Sequence, residues 1–250
     1  MRLKARATVT AAAALLPALL LGAVGCGKGA TAPDKAPDPK DSAPVSSPPA
    51  SPAGSAVPQA AASKLERSAL EQGDVPGYQI SAQGKNPNAP DGQPQADRKA
   101  CQPLADIMGD KPDPAAQETV NRGVGSQKQV GLAVSASVSS YAERDARTLI
   151  ARLKDAVAAC GTGFTATVEK QSGSYREVRP AEYRTSGDES VSWTTTAAAQ
   201  GVSAEVHLVV VRQGSTIVRL MALNVAAGRQ KAQVPHEVAD KQLEKVRAAR

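Results

Sequence analysis

The stretch from Val130 to Gly161 constrains the fold more than any other part of this chain of 250 residues. Val130, Leu132, Val134, Ala136 and Val138 alternate with Gly131, Ala133, Ser135 and Ser137. Successive side chains of a strand point to opposite faces, so this period of two gives one apolar face. The period then changes. Ser140 and Glu143 have capping-box spacing, in which hydroxyl and carboxylate satisfy the first free N–H groups of a helix. Ala146, Leu149, Ile150, Leu153, Val157 and Cys160 follow at helical intervals, and Gly161 stops the run. A half-apolar strand that feeds a half-apolar helix requires a sheet with a helix packed on it.

The flanking segments extend that scheme. Ser63 and Glu66 repeat the capping-box spacing and open a short helix expected to stop near Gly73. Asp74-Val75-Pro76-Gly77-Tyr78 turns the chain into an extended piece over Gln79 to Ala82, and the Gly/Asn/Pro-rich run from Gly84 to Pro94 reads as a surface loop. Pro103 suits the first turn of a brief helix carrying Leu104, Ile107 and Met108, which Gly109 ends. Strand patterns return at Phe164-Ala166-Val168, near Tyr175 to Val178, at Val191-Trp193-Thr195-Ala197, at Val202-Ala204-Val206-Leu208-Val210 and from Ile217 to Val225. The last three are joined by short turns, which predicts an antiparallel meander. Pro235 opens a final helix with Val238 or Ala239, Gln242 or Leu243, and Val246 inward. The fold class is α+β: a single domain over 63–250, an antiparallel sheet with helices packed on it.

Ahead of that domain the composition changes. Arg2, Lys4 and Arg6 lead into an apolar run from Ala11 to Leu21, then into Leu21-Gly22-Ala23-Val24-Gly25-Cys26. This is the layout of an export signal over 1–25, and the run is shorter than the ~20 residues of a membrane-spanning helix. Its end resembles a bacterial lipoprotein lipobox, with Ala23 where Leu is commonest. The resemblance implies that Cys26 receives a diacylglycerol and becomes the first mature residue; a plain spanning helix and cleavage by another peptidase are the alternatives. From 26 to 62 follows a Pro/Ala/Ser-rich segment with no Leu, Ile or aromatic residue after Cys26, expected to be a disordered tether. The expected location is the extracellular face of the cell membrane, reached through a lipid anchor.

The net charge of +6 includes Arg2, Lys4 and Arg6. Without them the excess falls to +3, and the chain holds one Trp, one Phe and four Tyr, so nucleic acid is excluded as an expected partner. With Cys26 acylated, Cys101 and Cys160 remain as an even pair in a compartment where disulfides persist, and are expected to be bridged. Two buried thiols are the alternative; a zinc site lacks the paired spacing it needs.

Asp74-Val75-Pro76-Gly77-Tyr78, Ala100-Cys101-Gln102-Pro103-Leu104, the helix ending in Cys160 with Phe164 soon after, and Val234-Pro235 before the last helix carry a family resemblance. In this order, over about Ser63 to Arg250, they resemble actinobacterial sensor domain-containing lipoproteins, which are similar to the extracellular sensor domain of mycobacterial-type receptor serine/threonine kinases. The resemblance implies an α+β domain with a cleft for an unidentified extracellular ligand. Those kinase sensors carry two disulfides, whereas this chain can form one.

Residues with chemistry are few. His207 and His236 are the only histidines. Glu205 and His207 share a strand face as two metal ligands would, or as a polar sheet face does. His236 reads as a surface residue. Gly173-Ser174-Tyr175 lacks a nucleophile elbow, and Gly123-Val124-Gly125 lacks the strand-to-helix setting of a phosphate loop. The interleaved run Tyr175-Arg176-Glu177-Val178-Arg179-Pro180-Ala181-Glu182-Tyr183-Arg184 offers charge and stacking to an anionic or sugar-containing polymer, but reads first as a soluble edge strand and loop. Trp193 reads as core. No catalytic residue, cofactor or metal site follows from these patterns. The expected function is a non-enzymatic, membrane-anchored lipoprotein whose external domain binds a ligand, an envelope polymer or a protein; a cell-envelope hydrolase or transferase and a structural envelope lipoprotein are the alternatives. Loops Gly84 to Pro94 and Gln171 to Glu189 are the expected rim of a binding site.

Overall fold

The computed structural model describes residues 62–84, 92–224 and 231–249. Cys26, the expected export signal and nearly all of the expected tether lie outside these residues. In chain order the elements are α1 (Lys64–Ser68), β1 (Tyr78–Gln83), β2 (Gln95–Ala96), a 3-10 turn (Lys99–Cys101) and α2 (Gln102–Met108). Then come β3 (Glu118–Ser126), β4 (Leu132–Ser140), α3 (Glu143–Ala159), β5 (Phe164–Val168), β6 (Gln171–Pro180), β7 (Glu189–Ala199), β8 (Val202–Gln213), β9 (Thr216–Asn224) and α4 (His236–Ala248). The nine strands form one antiparallel sheet in the order β1-β3-β4-β9-β8-β7-β6-β5-β2. The α+β architecture and the meander β7-β8-β9 stand as the patterns predict.

Helices cover the two faces unequally. On β8, Val209 and Val211 belong to a core shared with Leu65, Leu70, Val238 and Leu243, from α1, α4 and the segment after α1. Leu208 and Val210 belong to a core shared with Leu104, Leu149, Ile150 and Leu153 of α2 and α3. Neighbours on a strand point to opposite faces, so α1 and α4 lie on one face and α2 and α3 on the other. The first pair packs on β3, β4, β8 and β9, the second on strands from β9 outward to β6. Each fully buried Leu or Ile at these contacts contributes roughly 1.5–3 kcal/mol. On the α2/α3 face, the sheet half made by β1, β3 and β4 is left open, and the candidate site stands there.

Local interactions explain the element ends. Ser63 Oγ accepts the Glu66 N–H at 3.0 Å. The Glu66 carboxylate does not reciprocate; it pairs with the buried Arg122 guanidinium of β3, and α1 ends at Ser68, well short of Gly73. Ser140 is the last residue of β4 and does not cap α3, whose N-cap is Ala142; Glu143 and Asp145 in the first turn complement the helix dipole instead. Arg98 donates to the Ala159 and Gly163 carbonyls, at 2.9 and 3.0 Å, and so satisfies free groups at the C-terminal end of α3. The Cys101–Cys160 disulfide joins the start of α2 to the end of α3.

Several expectations are corrected. Val130 lies in the turn before β4 and is 80% exposed, because the chain reverses there and pairing starts at Leu132. β3 has no counterpart in the sequence reading. The run Tyr175 to Pro180 is not an edge: β6 is hydrogen-bonded to β5 on one side and β7 on the other. A bulge between Arg176 and Arg179, with Glu177 at φ 57°, interrupts the β6–β7 register. Gln171 to Pro180 is therefore strand, not loop.

Candidate functional site

A cleft of about 560 Å³ opens over the uncovered part of the sheet. Its volume is in the range of small-molecule sites. The floor comes from the polar halves of period-two patterns. Ser135, Ser137 and Ser139 of β4 point away from the core made by Val134, Ala136 and Val138, and Thr119 and Asn121 of β3 do the same beside them. One wall is Ile107 with the turn Gly109 to Pro112; the other includes Gln83 and Gly84 at the end of β1. Tyr141 and Ile217 complete the apolar part.

Arg219 lies at the centre. It stands opposite Ser137 across β4 and β9, and Ser137 stands opposite Asn121 across β3 and β4, so the three form one row. Arg219 donates to Ser137 Oγ at 2.8 Å, to the Ile107 carbonyl at 2.9 Å and to Ser135 Oγ at 3.5 Å. Ser137 Oγ donates its single proton to Asn121 Oδ1 at 2.7 Å, which fixes it as an acceptor toward the arginine. Thr119 and Ser139 share a hydrogen bond of 2.9 Å one row away. The Arg219 side chain is 4% exposed, and its ion-pair partner Asp110, at 2.5 Å, is 65% exposed. Burial pushes the Arg219 pKa down, and the Asp110 charge opposes that fall. Tyr141 is pushed up to about 12 by burial and stays a neutral phenol at ordinary pH.

The turn carrying Asp110 is braced from below. Asp106 Oδ1 accepts from Gln93 Nε2 and Gln102 Nε2, both at 2.6 Å, and burial raises its pKa against the effect of these bonds. Gln93 also donates to the Lys111 carbonyl at 3.0 Å. The predicted loop from Gly84 to Pro94 thus flanks the cleft, with Gly84 at the rim and Gln93 behind the wall; residues 85–91 lie outside the described residues. A shallower trough of about 700 Å³ continues past Ser135 along Gln79, Ser81, Gly123 and Gly125.

The other candidates do not converge. Tyr175 stacks on Phe164 at 4.8 Å on the α2/α3 face, while Tyr183 is buried on the opposite face between His207 and His236. The arginines between them therefore belong to no shared Tyr/Arg surface. Trp193 is fully buried, as expected of core. Glu205 is exposed, whereas His207 is buried: its Nδ1 accepts the Val234 N–H at 3.0 Å and its Nε2 lies 2.8 Å from Ser192 Oγ. Ser192 Oγ gives its own proton to the Leu208 carbonyl, so Nε2 is the donor of that pair. Burial, and secondarily the charge of His236, pulls the His207 pKa down to about 4. His236 is exposed and stacks on Tyr183 at 4.2 Å. Among the described residues no His/Cys/Asp/Glu group of three or more could hold a metal ion, and no helix is long and apolar enough to cross a membrane.

Sequence reasoning missed Arg219, Asp110 and the serine ladder. The signal was present in Thr216-Ile217-Val218-Arg219-Leu220-Met221, where one cation interrupts an otherwise apolar strand. A cation there must be paired or hydrogen-bonded in the interior.

No protein-family model matches the chain, and no curated protein matches it significantly. Among solved structures, it is similar to the extracellular domain of PknH from Mycobacterium tuberculosis, with 11% identity and a TM-score of 0.47 over 74% of this chain and 94% of that one. It is also similar to an uncharacterised protein of Mycobacterium smegmatis, the Rv0999 ortholog, with 12% identity and a TM-score of 0.37 over 70% and 89% of the two chains.

Proposed function

We propose that this chain is an exported lipoprotein in which 1–25 is the signal peptide, Cys26 carries the lipid, 26–62 is a tether, and 63–250 is a sensor-like domain that binds an extracellular ligand without turning it over. The anchor reading rests on the sequence around Cys26. The binding reading rests on one observation: the cleft gathers hydroxyl, amide and guanidinium groups from four strands around one buried cation. Such convergence suits recognition, in which a few placed polar groups orient a ligand inside a partly apolar cavity.

The full chain is to be expressed in a Gram-positive host and its mass measured under native and denaturing conditions. The expected results are a lipid mass absent from Cys26→Ala, and a noncovalent adduct that disappears on denaturation and from Ser135→Trp, which fills the cleft. A Cys26→Ala chain that still carries lipid sinks the anchor, and an adduct untouched by Ser135→Trp sinks the cleft. Turnover of wall material abolished by one point change would favour the hydrolase alternative.

A further inference from the structure

The ion pair at the cleft is asymmetric. A cation held in the interior needs an anion and satisfied donors, because desolvation costs several kcal/mol when the charge is left alone. Arg219 is almost fully buried, yet its anion comes from the exposed side chain of Asp110, on a surface turn rather than a packed element. Asp110 also holds a left-handed backbone, φ 59°, which a non-glycine residue adopts at some cost. The anion facing Arg219 is thus the one part of its surroundings able to leave without opening the core. The remaining partners, Ser135, Ser137 and the Ile107 carbonyl, stay on the sheet and on α2.

What surrounds the exchangeable anion fixes the chemistry of a replacement. The lining holds two cations, Arg219 and Lys111, against the single carboxylate of Asp110, so displacing Asp110 leaves a net positive site. With the Ile107, Ser135 and Ser137 bonds kept, the Arg219 Nη1 that pairs with Asp110 turns a charged N–H donor to one oxygen of an incoming carboxylate or phosphate. Beyond it, Thr119, Asn121, Ser135, Ser139 and Gln83 offer hydroxyls and amides from neighbouring strands about 4.8 Å apart. That spacing lets one polyol ring meet two strands at once, while Tyr141 and Ile217 receive its C–H face.

We infer that the cleft binds an acidic polyol, a sugar bearing a carboxylate or phosphate, whose oxyanion replaces the Asp110 carboxylate on Arg219. This rests on the proposal that the cleft is the ligand site, and names its ligand class. Asp110 acts as an internal competitor: the turn Gly109 to Pro112 moves outward as the ligand enters. Removing the competitor therefore tightens binding, whereas a merely structural ion pair predicts lower stability and no gain.

The test is calorimetric titration of the full chain in detergent with glucuronate, glucose 6-phosphate, glucose and inorganic phosphate. One or both acidic sugars bind at least ~10-fold more tightly than glucose or phosphate alone, and which one binds identifies the anion source. Asp110→Asn tightens that binding about fivefold or more, and Arg219→Met removes it. Should Arg219→Met fail to fold, the exposed Asp110→Asn still decides the matter, with Ser137→Ala expected to weaken binding severalfold. Equal binding of glucose, no gain in Asp110→Asn, or no binding of any probe overturns the inference. The cleft reading would survive each of these results if the native adduct were still lost from Ser135→Trp, and would fall with the inference if it were not.

Discussion

His207 is held neutral by two hydrogen bonds of opposite sense, accepting from the Val234 N–H and donating to Ser192 Oγ. Protonation would put a second donor against the Val234 N–H. The folded pKa is about 4, against about 6.5 in an unfolded chain. Between these values the unfolded state binds a proton that the folded state refuses, so stability falls as pH drops through that window and levels off below it. The full loss is roughly 3 kcal/mol, and most of it has accrued by about pH 4.5. Urea midpoints at pH 7 and near 4.5 should show a drop in the native protein that is visibly smaller in His207→Gln, which is also weaker at pH 7. The sequence placed Glu205 and His207 correctly on one strand face. It could not show that the chain before α4 covers His207 and not Glu205, because strand periodicity gives the face and not its cover. Arg219 was legible in another way, as a charge amid apolar neighbours, but its pairing with Asp110 spans β3, β4 and later elements and leaves no local trace.

At the scale of elements, α4 is fixed by a polar residue inside an apolar contact. Gln242, fully buried, accepts the Leu70 N–H at 3.2 Å and donates to the Ser68 carbonyl at 2.7 Å, thereby satisfying the end of α1. Gln242→Leu keeps the volume but leaves a buried N–H and C=O unpaired, and should cost about 2–4 kcal/mol in chemical denaturation. A cost below ~1 kcal/mol would mean that α1 is satisfied elsewhere. On the other face, the bridge between α2 and α3 closes a separation of 59 residues. Replacing Cys101 and Cys160 by Ala should lower stability by roughly 4 kcal/mol on chain-entropy grounds, read as a lower thermal midpoint. The amphipathic elements α3, α4 and β4 were legible because each buries one continuous stripe. β3 was not: Asn121, Gly123 and Gly125 alternate with Val120, Arg122 and Val124, and its outward half serves the cleft rather than a core. The same need for a polar floor that makes β3 useful removes the apolar alternation by which a strand is recognised.

For the whole molecule, the diagonal placement of the helix pairs, α1/α4 over one part of the sheet and α2/α3 over another, is what leaves a polar half-face uncovered. The sheet itself is joined at β9, which pairs with β4 on one side and β8 on the other. The bond between the halves therefore links residues near 136 to residues near 220, and exists only once β9 has arrived. Non-local pairing of this kind is slow to form, since loop closure precedes any reward from contact. While the chain is incomplete, β4 and β8 each wait with an open edge, and the apolar Val134, Val138, Val209 and Val211 stay uncovered until the C-terminal segment follows. A chain stopped before Thr216 should accordingly be cut rapidly by protease along its whole folded length and aggregate. One stopped after Asn224 should keep a protected sheet while losing α4. Until β9 arrives, then, this protein is two unfinished half-sheets, and its vulnerability is set by how quickly those nine residues are delivered.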